Sequence, residues 1–306
     1  MSALRALAPA KINLGLWLGP LRPRDGRHEI VTVMQSISLA DELTLERRPG
    51  AAAGDEVVCP GVPGPARENL AAGALRSFRA ATGWDEEPLR LSIVKRIPVA
   101  AGLGGGSADA AATLRLLRRA SGLGDEALLL ELARALGADV PAQVSPGRWL
   151  ATGAGERLEH LPDPAAPLEL LVLPLADALA TSAVYAEADR QHLGRTPRAL
   201  AGRVRDVREA FAHGAPAPAA RGLLENDLQP AASTLCPDIG RALELARAAG
   251  AERALVSGSG PTVVALFTSP GESERAAAAM ADREPAPIRA RSVAAAFARA
   301  RPAGHP

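Results

Sequence analysis

Residues 95–119 read "KRIPVAAGLGGGSADAAATLRLLRR", and four of the five positions from Gly102 to Gly106 are glycine. Glycine loses more backbone entropy on folding than any other residue, so such a cluster needs a compensating role. The segment before it, "LRLSIVKRIP" (89–98), has the pattern of a strand. Leu89, Leu91, Ile93 and Ile97 fall on one face, Lys95 is in phase with them, and Pro98 ends the ladder. A lysine on an apolar face near a strand end either snorkels outward or meets a buried anion. After the glycines an amphipathic helix is expected from about Ser107 to Ser121, ending at Gly122. Ala110, Leu114 and Leu117 form its apolar side, and Arg115, Arg118 and Arg119 its wet side.

A strand, a glycine loop and a helix N-terminus together bind anions. The first helical turn has free N–H donors and the positive end of the dipole, and glycines let the backbone curl around a phosphate. Ser107 adds a hydroxyl, as an N-cap or as a ligand to Mg²⁺. The bland alternative is a flexible linker, which is rarely held tightly between a strand and a capped helix. Two familiar signatures are absent. A dinucleotide fingerprint needs glycine where Ser107 stands, and no Gly-Lys-Ser/Thr of a P-loop occurs.

Composition narrows the partners. The 306 residues suit one large domain or two ordinary ones. A net charge of +1 gives no global field for nucleic acid or membranes, so an anionic ligand must be held locally. No run of eighteen apolar residues occurs, and Lys11 interrupts the short apolar start, so neither a signal peptide nor a membrane span is expected. The only cysteines, Cys59 and Cys236, lack metal or disulfide spacing and imply reduced thiols in a cytoplasmic protein. Of the 35 basic residues all but Lys11 and Lys95 are arginine, and asparagine occurs only at Asn13, Asn69 and Asn226. A compact ammonium and a planar guanidinium differ at a tight site, so a lysine surviving such a bias is marked for attention.

Elsewhere "AKINLGLWLG" (10–19) alternates Ile12, Leu14, Leu16 and Leu18 with Lys11, Asn13, Gly15 and Trp17, the period of a half-buried strand. Lys11 and Asn13 therefore share a face. "PRDGR" (23–27) is a turn, "HEIVTVMQSISL" (28–39) the returning strand, and a helix is expected around Asn69 to Ala81. "DEALLLELARAL" (125–136) is a second helix, ended by Gly137. A boundary is expected in or after the glycine- and proline-rich segment 145–167, giving domains 1–155 and 156–306. Beyond it come the strand "LELLVLPL" (168–175), helices, and two apolar runs around Ser257 to Gly260. Strands and helices mixed in both halves indicate an α+β class.

"PVAAGLGGGSADAA" (98–111) resembles the phosphate-binding loop of the GHMP small-molecule kinases. The chain is similar to the branch that acts on a cytidine-diphosphate-linked methylerythritol. The resemblance is ordered along nearly the whole sequence: "APAKINLGLWL" (8–18), "RDGRHEIVTVMQSI" (24–37), the loop, "LGADVP" (136–141), "ATGAGERL" (151–158), "ENDLQPAA" (225–232) and "SGSGPTVVALF" (257–267). It implies a two-domain GHMP kinase fold, with an N-terminal ribosomal-protein-like α/β domain, a ferredoxin-like C-terminal domain and the ligands between them. It also implies ATP as phosphoryl donor with Mg²⁺, and a monomer or weak homodimer that binds neither nucleic acid nor membrane.

By the same resemblance Pro98, Val99, Ala100, Ala101, Gly102, Leu103, Gly104, Gly105, Gly106, Ser107 and Ala108 cradle the ATP phosphates, and Lys95 is a second cationic contact. Ser257, Gly258, Ser259 and Gly260 brace that loop and the substrate side; read alone they are a hairpin turn. Asp139 matches the base that takes a proton from the acceptor hydroxyl. It also follows a helix C-terminus, where the dipole opposes negative charge, and it precedes Val140 and Pro141, where aspartate serves as an N-cap. Lys11 matches a catalytic lysine, against the alternative of a surface lysine, and Asn13 a substrate contact. His28 matches the reader of the cytosine edge and Tyr185 an aromatic covering it, with Thr181 nearby. Read alone these are a solvated histidine and a packing tyrosine. Position 27 departs from the family: Arg27 stands where an aromatic stacks on the base, although a guanidinium plane can stack too. Rival readings are a homoserine- or mevalonate-type kinase and a non-catalytic nucleotide- or RNA-binding protein. The low aromatic content, 3%, argues against RNA, and retention of Lys11 with Asp139 argues against a dead kinase.

Overall fold

The computed structural model describes residues 2–50, 54–212 and 222–304. The chain opens with a long hairpin, β1 (Leu4–Leu21) and β2 (His28–Arg47), followed by β3 (Glu56–Val58), α1 (Leu70–Thr82) and β4 (Leu89–Val94). Then come α2 (Gly105–Ser121), α3 (Glu126–Leu136), α4 (Val140–Val144) and the hairpin β5 (Arg148–Gly153) and β6 (Arg157–Leu161). The second half contains β7 (Glu169–Leu173), α5 (Thr181–Arg190), α6 (Pro197–Phe211), α7 (Gln229–Leu235) and α8 (Asp238–Ala248). It continues through β8 (Arg253–Val256), β9 (Val263–Phe267), α9 (Pro270–Ala279), β10 (Ile288–Arg291) and β11 (Arg301–Pro302).

β11, β1, β2, β4 and β3 lie side by side in one sheet, with β5 on the far part of β2 and β6 on β5. The second sheet has the order β10-β7-β9-β8 with every neighbour antiparallel. Its chain order, strand–helices–strand–strand–helix–strand, is that of a ferredoxin-like domain. The α+β two-domain expectation therefore holds. A cut after residue 155 would part β5 from β6, which pair from Arg148↔Leu161 to Thr152↔Arg157. The chain changes sheets between Leu161 and Glu169, and β11 returns to the first sheet.

Three apolar layers follow from these sheets. Phe78, Leu91, Leu114 and Leu117 pack α1 and α2 on one face of the first sheet. Leu14, Trp17, Val33, Leu170, Val264 and Leu266 fill the space between the sheets. Leu171, Leu173, Ile239, Leu243 and Ala265 pack the second sheet against its helices. The half-buried reading of β1 is corrected here. Residues 12–18 are all buried, because the second domain covers the face that the alternation left polar. The hairpin register shifts between Pro9 and Lys11 and again between Asn13 and Gly15. Such irregularities re-aim side chains, and these two bracket Lys11 and Asn13.

Leu14 lies on this strand at 1% exposure, whereas Leu245 on α8 is 46% exposed. Leu14→Ala is expected to cost about 2–5 kcal/mol in urea unfolding, and Leu245→Ala to stay within about 0.5 kcal/mol.

Candidate active site

The glycine segment forms the mouth of α2. The helix starts at Gly105, two residues earlier than the sequence pattern suggests, and Gly104 is its N-cap with φ +71°. Ser107 is thus inside the first turn and caps nothing, which corrects one of its two expected roles. Its hydroxyl makes no hydrogen bond among the described residues and lines a cavity of about 520 Å³. The first intrahelical bond runs from the Ala108 amide to the Gly104 carbonyl at 2.9 Å. The amides of Gly105, Gly106 and Ser107 are left without intrahelical partners at that cavity. Pro98 to Ser107 all line it, and Ala108 is buried behind them. Ala100 adopts φ +58°, backbone strain held by its surroundings.

The loop is held from the other domain. Thr262 donates its hydroxyl to the Ala101 carbonyl at 2.7 Å, and a Cβ on Gly102 would lie 2.7 Å from the Gly260 carbonyl oxygen. Gly102 also has φ +73°, so both space and backbone demand glycine. Ser257, fully buried, accepts the Asn13 amide at 3.1 Å. Asn226 donates to the carbonyls of Val256 and Gly258 at 2.8 and 2.7 Å and so fixes the turn. Ser257 to Gly260 form the turn that joins β8 to β9, and Gly260 lies against the glycine loop at Gly102.

A second cavity of about 280 Å³ adjoins the first at Gly102 and Gly104 and contains Lys11, Asn13 and Asp139. The Lys11 amide donates to the Leu103 carbonyl at 2.9 Å, which pins β1 to the loop. Its ammonium lies 3.0 Å from Asn13 Oδ1 and 3.6 Å from an Asp139 carboxylate oxygen. Lys11's side chain is 11% exposed, so it is no surface lysine; Asp139's is 41% exposed to the cavity. Asp139 occupies the expected N-cap position of α4, but its side chain makes no cap hydrogen bond and is left to the cavity. Asn13 donates to Thr32 Oγ1 at 2.7 Å. The pair can take a proton at Asp139 and stabilise an oxyanion at Lys11.

A third cavity of about 510 Å³ continues from the second across Ile30, Ala154, Thr181 and Tyr185 and holds Arg27 and His28. His28 is buried rather than solvated, with Nδ1 2.9 Å from the Gly19 carbonyl and Nε2 3.2 Å from Asp189. Tyr185 lies 5.4 Å away, ring to ring. Burial, and then the Asp139 carboxylate, push its phenol above the ordinary value, while Arg27 pulls the other way. Arg27 donates to the Ala154 carbonyl at 2.8 Å. Thr181 and Ser259 share a hydrogen bond of 3.0 Å within the second domain, between the start of α5 and the β8–β9 turn.

Lys95 neither snorkels nor stands free. Its ammonium bonds to Asp41 and, at 2.7 Å, to Asp109, both nearly inaccessible. Burial opposes its charge, but Asp109 and Asp41 outweigh that and hold its pKa above the ordinary value. It lines the first cavity with its charge already matched by two carboxylates, so its expected role as a free cation toward nucleotide is reduced to that of a neighbour. Asp41 also accepts the Arg96 and Ile97 amides at 2.6 and 2.8 Å. Burial, offset by Lys95 and reinforced by Asp41, raises Asp109 to about 7. Sequence reasoning missed Asp41, Asp109, Asp189, Thr262 and Asn226, and also the apolar wall of the first cavity, Val57, Val62, Leu70 and Val99. Lys95 on an apolar face was a signal for buried carboxylates, and the rarity of asparagine was one for Asn226.

The GHMP kinases N terminal domain description matches residues 69–147, and the GHMP kinases C terminal description matches 207–286. A 4-diphosphocytidyl-2-C-methyl-D-erythritol kinase from an Anaeromyxobacter species is 42% identical over 284 residues, covering 91% of this chain and 87% of that one. The chain belongs to the GHMP kinase family. A crystal structure of a 4-(cytidine 5'-diphospho)-2C-methyl-D-erythritol kinase superposes on this GHMP kinase with a TM-score of 0.76 and 34% identity, over 94% of this chain and 98% of that one. A homoserine kinase from Cytophaga hutchinsonii, at 18% identity and a TM-score of 0.71 over 96% and 95% of the two chains, shares the fold. GHMP kinases use ATP as phosphate donor, and the free amides of the glycine loop fit its phosphates. Among the described residues no helix is long and apolar enough to cross a membrane, and no cluster of three or more His, Cys, Asp or Glu side chains could hold a metal. The Ser107 hydroxyl suits a cation held chiefly by phosphate oxygens and water, the usual setting of Mg²⁺.

Asp109 titrates at about 7 in the folded kinase against an ordinary 3.8, so the native state binds its proton more tightly than the unfolded chain. This carboxyl's contribution therefore favours folding at low pH and is lost as pH rises from about 4 to about 7. Asp109→Asn should gain stability relative to the parent between pH 5 and pH 8. An unchanged difference in urea midpoint at the two pH values would exclude that proton.

Proposed function

We infer that this GHMP kinase transfers the γ-phosphoryl group of ATP to the 2-hydroxyl of 4-diphosphocytidyl-2-C-methyl-D-erythritol, a step toward isoprenoid precursors by the non-mevalonate route. The observation that carries this reading is the order of the three joined cavities: phosphate loop, Lys11 with Asp139, then His28 with Tyr185. That order matches a nucleotide phosphate chain, a reacting alcohol and a second base in line. Relatives that match about nine-tenths of this chain carry this substrate in their names, whereas homoserine and mevalonate kinases share the fold at 18% identity.

The loop from Pro98 to Ala108 presents its amides to the phosphates and aims the terminal group toward the second cavity. The apolar wall of Val57, Val62, Leu70 and Val99 suits a flat purine. Asp139 accepts the proton of the acceptor hydroxyl as the O–P bond forms, and the leaving diphosphate oxygen departs with the electron pair of the broken bond. Lys11, beside Asp139, stabilises the charge developing on the acceptor oxygen and on the transferred phosphoryl group. Its 3.6 Å separation from Asp139 leaves the carboxylate uncommitted to a direct hydrogen bond. Asn13, oriented by Thr32 and Lys11, holds the substrate. Ser257 to Gly260 and Thr181 close the side of the cleft. His28 and Tyr185 take the cytosine, and Arg27 replaces a stacking aromatic with a guanidinium plane. Ser107 would help hold Mg²⁺ with the phosphate oxygens, and the ion would supply neutralisation of phosphate charge. The kinase works in the cytoplasm as a monomer or weak homodimer, with the whole cleft drawn from one chain.

ADP release measured with the cytidine-linked alcohol, homoserine and mevalonate tests the substrate. Preference for an alcohol lacking cytidine would overturn the assignment. Asp139→Asn should lower kcat by roughly 100-fold or more while ATP affinity is kept; an unchanged kcat removes Asp139 from the chemistry. Lys11→Arg should also turn over poorly, because the bulkier fork directs its charge differently. Arg27→Tyr should change chiefly KM for the alcohol, and a collapse of kcat would place Arg27 on the phosphates instead.

A further inference from the structure

The C-terminal end of α2 borders a cavity that the catalytic cleft does not use. It has a volume of about 600 Å³ and lies among the last turn of α2, the Gly122–Gly124 loop, the start of α3 and the C-terminal segment at Arg299. With a rise of 1.5 Å per residue, this end of α2 is roughly 25 Å from the amides of the glycine loop. Arg115, Arg118, Arg119 and Arg299 line the cavity, against the single carboxylate of Glu126.

Arg115 forms its back wall. Its guanidinium is spent on the backbone carbonyls of Leu7, Gln143 and Ala298, and no carboxylate pairs with it among the described residues. Arg118, Arg119 and Arg299 are exposed, and none has a side-chain hydrogen bond or ion pair among the described residues. Elsewhere many arginines of this chain do pair: Arg22 with Asp25 and Glu156, Arg79 with Asp55, and Arg195 with Glu225 and Asp227.

Helix capping does not account for the cluster. Cations in the last turn complement the dipole, but α2 is already closed by the Gly122 amide on the Arg118 carbonyl at 2.9 Å. Arg299 is on a different element and gains nothing from that dipole. It also lines an adjoining cavity of about 260 Å³ with Arg301, another exposed arginine without an ion pair among the described residues. The choice of arginine over lysine carries no weight in so lysine-poor a chain. The placement does: like charges from two elements converge on one concavity with only Glu126 to offset them. A compact multivalent anion relieves that repulsion, and guanidinium forks match phosphate oxygens two at a time. A monovalent ion would leave most of the repulsion in place.

We propose that this cavity is a second anion site, separate from the catalytic cleft, that binds a small molecule bearing a diphosphate group. The test uses inorganic pyrophosphate as probe, titrated calorimetrically into the full-length kinase saturated with a non-hydrolysable ATP analogue, so that the glycine loop is occupied. One binding event is expected, weakened at least tenfold in the triple variant Arg118→Ala, Arg119→Ala, Arg299→Ala, whose ATP turnover stays near that of the parent. Arg299→Gln alone serves as the second variant should the triple one fold poorly, and it should weaken binding several-fold. Absence of binding to the saturated enzyme overturns the proposal. So does binding that the variants leave unchanged, or that sodium chloride of equal ionic strength abolishes. Inorganic phosphate, with one group to place, should bind more weakly than pyrophosphate; equal affinity would refute the diphosphate assignment.

Discussion

The contact on which the cleft depends is backbone against backbone: the loop at Ala101 and Gly102 against the turn at Gly260. The Gly260 carbonyl occupies the space where a side chain at 102 would begin, and Thr262 fastens the Ala101 carbonyl from the same turn. Asn226, from a third segment, holds that turn by two carbonyls. A glycine loop alone would be a costly, mobile segment. Clamped by the second domain, it presents its amides in one arrangement without reorganising when an anion arrives. The apolar layer between the sheets supplies the free energy that keeps the clamp closed, since Leu14 and Val33 of one domain meet Leu170 and Val264 of the other.

The two lysines divide the electrostatic work. Lys95 is buried between Asp41 and Asp109, where attraction is strong but desolvation is costly. It ties β2 at Asp41 and the start of α2 at Asp109 to the segment that leads into the loop. Lys11 has a neutral partner in Asn13 and a carboxylate just outside hydrogen-bond range. Its charge is therefore available to an incoming group, whereas that of Lys95 is consumed internally. Glycine lets the loop approach both lysines closely: a Cβ on Gly104 would sit 3.0 Å from the Lys11 stem, and one on Gly105 3.3 Å from the Lys95 ammonium.

Much of this was legible in the sequence, for unequal reasons. The loop and α2 announce themselves through local chemistry, glycines followed by a 3.6-residue apolar period, and the structure moves only the helix start. The period-2 alternation of β1 located the strand but misjudged its environment, because a covering domain more than 150 residues away leaves no local trace. Lys11 was marked by scarcity, and the same logic extends to asparagine: Asn13 lies in the cleft, Asn69 caps α1 beside the first cavity, and Asn226 holds the turn. Asp41 and Asp109 were hidden for the opposite reason. A carboxylate in a strand or on a helix reads as solvated until a buried cation is known to face it. The wall built by Val57 and Val62 belongs to a short strand and an irregular segment without periodicity, so no pattern could reveal it. The meeting of Lys11 and Asp139 is a property of the fold, available beforehand only through resemblance.

Tyr185 links recognition to reaction. Its ring forms part of both the second and the third cavity, so the space around Asp139 and the space around His28 are separated by little more than one phenol. Burial raises the pKa of that phenol, the Asp139 carboxylate adds to the rise and the Arg27 guanidinium opposes it. A ligand reaching from the third cavity to Asp139 passes the residues that the two cavities share, Tyr185 with Ile30, Ala154 and Thr181. The anchor for its far end is rigid, because His28 is held at both ring nitrogens, by Gly19 and by Asp189. On the proposed reading His28 fixes the base of the alcohol and the loop fixes ATP, so the distance between them decides which alcohols can meet the terminal phosphoryl group. An alcohol too short to reach from the third cavity forfeits that anchoring, and its hydroxyl is left without a fixed position beside Asp139.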